Sequence, residues 1–297
     1  MSLLSVIKFI VLHPLNGGRR LNAVLKFIRY QLASSLFEAK FLVDWVNDVK
    51  FIVFRGETGI TGNLYCGLMD YRDMSFLLHY LRQDDEFYDI GANVGAYTIL
   101  ASGVVKAKSV AFEPLPSAYE RLVDQIKINR LEHLVESNNI GIGDKNCRLD
   151  FTNNLNCMNK VNVDPRNREV TNVEVVRLDD FLKPTTNSFV KIDVEGYENF
   201  VLKGGVNFFS SRNVTALIIE LNGSGASFCV ADNDVHEVIT SFGFHRISYD
   251  PFTRKVSPID SILFKGNAIY VKDIFFAQQR VAEAPPRSIR TANNLEL

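Results

Sequence analysis

Cysteine is scarce in this chain and carries no pattern. The four residues of this type, Cys66, Cys147, Cys157 and Cys229, show no CxxC spacing, and the five histidines show no HxxxH or HExxH arrangement. A zinc site is therefore not expected, and the thiols read as reduced and unliganded. No metal is expected, although aspartates and glutamates can hold Mg²⁺ without leaving a spacing pattern. No sign of charge dominates either, with 33 basic residues against 34 acidic ones, so no global field marks a nucleic-acid partner. No apolar run reaches the roughly 18 to 20 residues that cross a bilayer. The opening MSLLSVIKFIVLHP has Lys8 inside its apolar run and no small-residue cleavage site, so a signal peptide is a poor reading and a cytoplasmic location is expected.

What is present is an ordinary globular composition, 46% apolar over 297 residues, enough for one large core with an appended segment. Charge is unevenly placed. Residues 1–40 hold Lys8, Arg19, Arg20, Lys26, Arg29 and Lys40 against Glu38, a net of +5 in a chain whose total is −1. From Leu21 to about Trp45, the apolar residues Leu21, Val24, Leu25, Ile28, Leu32 and Leu36 recur at helical spacing, which predicts one or two amphipathic helices with a basic polar face. Two readings stand open: the helix packs on its own domain, or it lies on an anionic membrane, peripheral to the inner face. KFIVFRGETGITGNLYCG then alternates apolar and polar residues around Gly56, Gly59 and Gly62, predicting short strands joined by a glycine turn.

After the helical DMSFLLHYL, apolar strands alternate with amphipathic helices: EFYDI, AYTILASGV, SVAFE, PSAYERLVDQIKIN. That order predicts a parallel α/β sheet. Ser117 and Glu120 have the spacing of a capping box for the second of these helices. LVESNNIGI, SFVKIDV, TALIIEL and FHRISYD read as further strands, with DNDVHEVITSFG as a helix before the last. Between about Asp144 and Leu182 the pattern turns polar and strand-like, suggesting an insertion or lid. The end, from about Gln278 with Pro285 and Pro286, reads as a solvated tail. The expected division is a helical N-terminal segment with short strands over 1–60, a main domain over 61–275 and a polar tail over 276–297.

The stretch FYDIGANVGAYTILAS carries the chemistry. EFYDI should deliver Asp89 to its carboxyl end, with Gly91, Ala92, Asn93 and Gly95 turning the chain into the next helix, at the edge where open α/β sheets bind ligands. A dinucleotide fingerprint needs GxGxxG, whereas this loop reads DxGxNxG. Asp89 would also repel a pyrophosphate. A ligand with an ammonium and no phosphate reverses that sign, and S-adenosylmethionine is such a ligand: α-ammonium, sulfonium, ribose and adenine. The next strand ends in AFEPLP, where Glu113, followed by Pro114, can accept hydrogen bonds from two ribose hydroxyls. Asn138, Asn139 and Ile140 of ESNNIGIGD could surround adenine. FVKIDVEGYENFVLKGG delivers Asp193 and Glu195, two carboxylates too close to bury without partners.

FYDIGANVGAYTILAS, VAFEPLPSAYERL, VVRLDDFL and VKIDVEGYENFVLKG together resemble the FkbM family of S-adenosylmethionine-dependent methyltransferases, over roughly residues 60 to 275. The resemblance implies a class I Rossmann-like α/β fold, a seven-stranded, mostly parallel sheet with helices on both faces and a reversed final hairpin. It implies methylation of a hydroxyl on a sugar, glycan or secondary metabolite, with carboxyl acceptors also known. It also implies that Asp89, Gly91, Asn93 and Gly95 line the methionine end, that Glu113 holds the ribose, and that Asp193 and Glu195 border the reacting methyl.

Methyl transfer from a sulfonium is an in-line displacement, so the protein's task is to align the acceptor oxygen and exclude water. A neutral hydroxyl benefits from a general base; Asp193 or Glu195 fits that role, with Glu220 of LIIELN as a helper. His79 reads as a structural histidine, and neither His236 nor His245 rises above one. Tyr65, Asp70 and Asp73 either close over the site or merely cap and cover a helix. Two other readings remain: a nicotinamide-dependent oxidoreductase, disfavoured by the interrupted glycine motif, and a non-catalytic cofactor-binding or membrane-adaptor protein.

Overall fold

The computed structural model describes every residue except 1–2, 38–39, 55–57, 154–158, 165, 167–168, 182, 261–262, 264–265 and 291–294. Gly56, Cys157 and Glu38, used in the readings above, therefore lie outside the described residues.

The main sheet has eight strands: β1 Glu86–Ile90, β2 Lys108–Phe112, β3 Val135–Asn138, β4 Ser188–Ile192, β5 Val214–Leu221, β6 His245–Asp250, β7 Lys255–Pro258 and β8 Gly266–Val271. Their spatial order is β3-β2-β1-β4-β5-β8-β6-β7. The first five in that order run parallel, and β8, β6 and β7 close the sheet with antiparallel pairings. The chain thus forms a mostly parallel α/β sheet with a reversed end, one strand larger than the expected seven. The extra strand is β7, paired with β6 from Ile247↔Pro258 to Asp250↔Lys255. It has four residues, ends in proline and buries only Val256 fully, too little apolar periodicity to read as a strand.

β4 is buried at all five positions, as a central parallel strand covered by helices on both faces must be. Alternation sends Phe189 to one core and Val190 and Ile192 to the other. Helices Glu198–Gly204, Val206–Ser210 and Asp232–Ser241 cover the second face. The first is covered by helices Tyr71–Tyr80 and Ala96–Ile99, the latter continued by a π turn over Leu100–Val105. The segment expected as an insertion or lid forms a three-stranded sheet: Val170–Arg177 pairs with Cys147–Thr152 antiparallel and with Gly141–Gly143 parallel.

Four local expectations change. The first long helix spans Arg20–Leu36 and ends before Phe41–Asp44, a strand paired with Lys50–Val53. Residues beyond that pair, expected as a second strand, form helix Thr58–Cys66. Gly62 reads as a breaker in sequence, yet a Cβ there would lie 2.3 Å from Met69 Sδ, so it is a close-approach glycine inside a helix. The capping box is absent: Pro116 takes the first helical position, Leu115 sits at the N-cap and no side chain caps it, leaving Ser117 one residue inside. The tail is not solvated throughout. Helix Ile274–Ala282 buries Val281, Ile289 is fully buried and bridges Val46, and Arg287 exchanges backbone hydrogen bonds with Leu297.

The N-terminal helices share the first core through Ile10, Ala23, Phe27 and Tyr30. Phe27 and Tyr30 meet Tyr65 edge-on, with centroids 5.1 and 6.0 Å apart, so Tyr65 is a packing residue here. Among the described residues, no helix is long and apolar enough to cross a membrane.

Candidate active site

The sheet order reverses direction between β1 and β4, and a cavity of about 260 Å³ opens at the carboxyl ends of the strands there, where open α/β sheets hold ligands. The loop after β1 forms its floor. Gly91, Asn93 and Gly95 all have positive φ, +81°, +50° and +90°. Asparagine tolerates this left-handed region and glycine occupies it freely. At Gly91 no side chain could fit in any case, since a Cβ would lie 1.9 Å from the backbone oxygen of Asp193.

Asp89 is buried at the end of β1, and its Oδ2 accepts from the Thr98 amide at 3.0 Å and the Thr98 hydroxyl at 2.6 Å. It lines the cavity while tying down the first turn of the following helix. Burial raises its pKa to about 6, against the pull of Thr98 and Lys191. Glu113, after β2, is also buried; Oε2 accepts from the Asn93 amide at 2.8 Å and Oε1 from the Leu115 amide at 2.9 Å. Burial outweighs those two donors and raises its pKa to about 7. Each oxygen keeps acceptor capacity, since a carboxylate offers about four lone-pair sites. Ala92, Pro114 and Ile140 join the cavity wall, whereas Gly95, expected there, does not: its positive φ turns the chain into the helix and its bare Cα faces Leu122.

Asn138 and Asn139 do not reach the wall. The carbonyl of Asn138 accepts from the Glu113 amide at 3.0 Å, and the side-chain amide of Asn139 donates to the carbonyls of Glu113 and Pro114 at 2.8 and 3.0 Å. Both brace the Glu113 turn from behind, because the chain bends away after β3 into the strand Gly141–Gly143. A sequence spacing cannot show on which side of a bend an amide falls.

The opposite wall is acidic. Asp193 and Glu195 follow β4, Glu220 lies near the end of β5, and one carboxylate oxygen from each lies within 4.8 Å of the others. Glu195 holds φ at +52° and is followed by Gly196 at +103°, a turn pinned by Glu198, whose Oε1 accepts from the Val194 and Gly196 amides at 3.3 and 3.1 Å. A left-handed glutamate is a costly conformation, sustained here by that second carboxylate. Burial, and then Asp193 and Glu198, raise the Glu195 pKa to about 7. Burial together with Asp193 and Glu195 also raises Glu220, whose Oε2 is buried without a hydrogen-bond partner among the described residues.

One residue central to this wall was missed in the sequence. Lys191 is 1% exposed in β4, with Nζ 2.9 Å from Asp193 Oδ2 and 5.1 Å from the centre of the Tyr97 ring. It is the register partner of Asp89 across the two strands. Burial works to lower its pKa, but Asp193, with Glu220 and Asp89 behind it, raises it overall. The signal was available: in SFVKIDV a lysine interrupts a strand that is otherwise apolar, two residues before an aspartate, a spacing that puts both on one face.

Asp70, at the N-cap of helix Tyr71–Tyr80, makes no cap hydrogen bond and lines the cavity, with Tyr97 donating to its Oδ2 at 3.4 Å. Asp73 lies one turn on, raised to about 7 by burial and by Asp70. His79 is buried against Tyr249, and His236 pairs with the Tyr270 hydroxyl at 2.9 Å; neither lines the cavity, nor does His245.

The arrangement therefore offers glycine-lined backbone, a carboxylate with spare acceptor capacity after β2, and an acidic wall with Lys191 set into it. At the reversal point of a mostly parallel α/β sheet, the negative charge of this site favours a cationic ligand over a phosphate, the pattern of a Rossmann-like α/β protein of the methyltransferase type. Comparison with known proteins agrees: residues 89–247 match the methyltransferase FkbM domain. That match covers more than half of the chain, and the chain belongs to the FkbM methyltransferase family. Membership sets aside the nicotinamide reading. The chain is also 30% identical over 151 residues to the hexuronic acid methyltransferase AglP of Haloferax volcanii, covering 49% of this chain and 59% of that protein. It thus spans about three fifths of that relative's length. Solved structures with similarity include an rRNA methylase from Streptococcus thermophilus, 14% identical, TM-score 0.40, covering 67% of this chain and 93% of that one. Another is a precorrin-6y C5,15-methyltransferase from Geobacter metallireducens, 13% identical, TM-score 0.39, covering 68% and 87%.

Proposed function

We propose that this protein transfers a methyl group from S-adenosylmethionine to a hydroxyl of a sugar or glycan. The observation that carries the proposal is the carboxylate wall facing a glycine-lined loop at the sheet's reversal point, in a chain of this family. When bound there, S-adenosylmethionine supplies the sulfonium-activated methyl. The backbone of Gly91 and Ala92 in the cavity wall would receive its amino-acid end, Asp89 would offer negative charge to the ammonium, and Glu113 would accept from the ribose hydroxyls.

Acceptor chemistry falls to the residues after β4 and at the end of β5. Glu195, with a pKa near neutrality, takes the proton from the acceptor hydroxyl as its oxygen attacks, which is where a general base works best. Asp193, held by Lys191, orients that hydroxyl, and Glu220 shares the proton through the carboxylate cluster. Phe151 and Asn159, from the side sheet and its loop, supply cavity wall for the acceptor. The relative named for hexuronic acid supports a sugar acceptor. The acidic wall favours a neutral hydroxyl over a free uronate carboxylate at the reacting position, since like charges in a half-buried cleft repel.

Calorimetric titration with S-adenosylmethionine, S-adenosylhomocysteine and NAD tests the cofactor, and transfer of labelled methyl to neutral and uronate-containing oligosaccharides tests the acceptor. Binding of the first two ligands, lost in Glu113→Ala, is expected; binding of NAD alone would refute the assignment. Glu195→Gln should keep cofactor affinity within about threefold and lose at least ~10²-fold in turnover. Binding without transfer to any acceptor would favour the non-catalytic adaptor instead.

A further inference from the structure

Of the six apolar residues that predicted an amphipathic first helix, only Val24 packs against the core. Helix Arg20–Leu36 turns Ala23, Phe27, Tyr30 and Ser34 inward. Leu21, Leu25, Ile28, Leu32 and Leu36 recur every three or four residues on the opposite face, and they are 71, 40, 43, 59 and 76% exposed. The helix therefore has two faces with different tasks, and the outward one is the more aliphatic. Five large aliphatic side chains in one exposed row exceed the scattered exposure common on soluble surfaces. The preceding helix, Leu3–Leu12, which packs against it, repeats the arrangement: Leu4 and Leu12 are 79 and 61% exposed, with the exposed Lys8 between them on the same face.

Charge identifies the occupant. Lys8, Arg19, Arg20 and Arg29 are all exposed, in a segment of net +5 attached to a remainder that is acidic. Arg29 lies along the edge of the leucine row, at helical positions next to Leu25 and Leu36. Aliphatic side chains beside lysine and arginine suit an interface where apolar groups enter and long cationic side chains stay at the headgroups. A second copy of this chain is a poorer occupant, because it would bring two cationic segments face to face.

We propose that the outward face of the two N-terminal helices docks on an anionic lipid bilayer surface, with Leu21, Leu25, Ile28, Leu32 and Leu36 entering the interface and Lys8 and Arg29 at the headgroups. The segment is fastened to the catalytic body: His13 Nε2 lies 3.2 Å from the carbonyl of Met69, which lines the cavity, and the side-chain amide of Asn16 donates to the carbonyl of Tyr65 at 3.4 Å. Docking would thus fix the orientation of the catalytic body relative to the membrane. This inference does not depend on the reaction proposed above.

Co-sedimentation of the full chain with vesicles of phosphatidylcholine, with and without phosphatidylglycerol, tests it. Binding is expected to be at least about tenfold tighter to the anionic vesicles, and to weaken about fivefold for each of Lys8→Gln and Arg29→Gln. The triple change Leu25→Asp, Ile28→Asp, Leu32→Asp should abolish it while thermal unfolding matches the parent, because these side chains face away from the core. If that variant misfolds, the two charge variants carry the test alone. Absence of vesicle binding by the parent chain, or binding that neither set of changes weakens, would overturn the proposal. So would a dimer in light scattering that the triple variant dissociates, without vesicle binding.

Discussion

Lys191 and Asp193, two residues apart on one strand end, form an ion pair at 2.9 Å in which the lysine side chain is 1% exposed and the aspartate 38%. The pair places a buried cation among the carboxylates of Asp193, Glu195 and Glu220 and beside Asp89. Without it the acidic wall would lose its nearest counter-charge, and its members would repel each other in a partly dry cleft.

Lys191→Met should therefore disable the site while sparing most of the fold. Breaking a fully buried pair costs about 3 to 5 kcal/mol, but the aspartate of this one is 38% exposed, so a loss nearer ~1 to 3 kcal/mol is expected once solvent screening is allowed for. Urea unfolding measures it, and turnover should fall at least ~10²-fold. Near-native turnover in this variant would show that Asp193 needs no partner.

Gly91→Ala and Gly223→Ala form a matched pair. Both glycines have positive φ, +81° and +84°, but a Cβ at Gly91 would lie 1.9 Å from Asp193 O, whereas at Gly223 nothing lies within 4 Å. The second change should cost about 1 kcal/mol of backbone strain. The first should cost about 3 kcal/mol or more and abolish cofactor binding, because the β1 loop must separate from the end of β4. Equal melting temperatures for the two variants would contradict the close approach.

Ligand-free protein should lose stability as pH rises from about 6.5 toward about 8. Burial raises Asp73, Glu113, Glu195 and Glu198 each to about 7, well above the roughly 4 of an unfolded carboxyl. The folded chain then holds more protons than the unfolded chain across this window, so raising pH disfavours it. His79, lowered to about 4 by burial, opposes this only below its unfolded value of about 6.5. Lys272, lowered to about 8 by burial, opposes it only near the upper limit. Scanning calorimetry should show a melting temperature at least about 3 °C lower at about pH 8 than at about pH 6.5; a flat profile would refute the shifts.

Phe27→Ala and Leu32→Ser separate the two faces of the first long helix. Phe27 is 5% exposed and Leu32 59%. Removing the first ring should cost about 3 kcal/mol through the cavity it leaves against Tyr65, while the second change should fall within about 0.5 kcal/mol of the parent. Equivalent losses would mean that the helix packs the other way round.

The sequence by itself determined the parallel α/β class, the glycine loop after β1 and the acids at the strand ends. Each depends on local rules: alternation of strands and helices, residues able to take positive φ, and the position of a carboxylate relative to its own strand. Asp89, Glu113, Asp193, Glu195 and Glu220 all reach one cavity for that reason. Tertiary structure alone decided what depends on neighbours distant in the chain. Asn138 and Asn139 fell behind the Glu113 turn because the chain bends into a side sheet, and Lys191, conspicuous in its own strand, met Asp89 and Tyr97 only through the pairing of β1 with β4 and the packing of the helix above it. Periodicity likewise marked an apolar row on helix Arg20–Leu36, but a row shows only that side chains share a face. Which face meets the core was set by the aromatic contacts of Phe27 and Tyr30 with Tyr65, and this left the leucines facing outward.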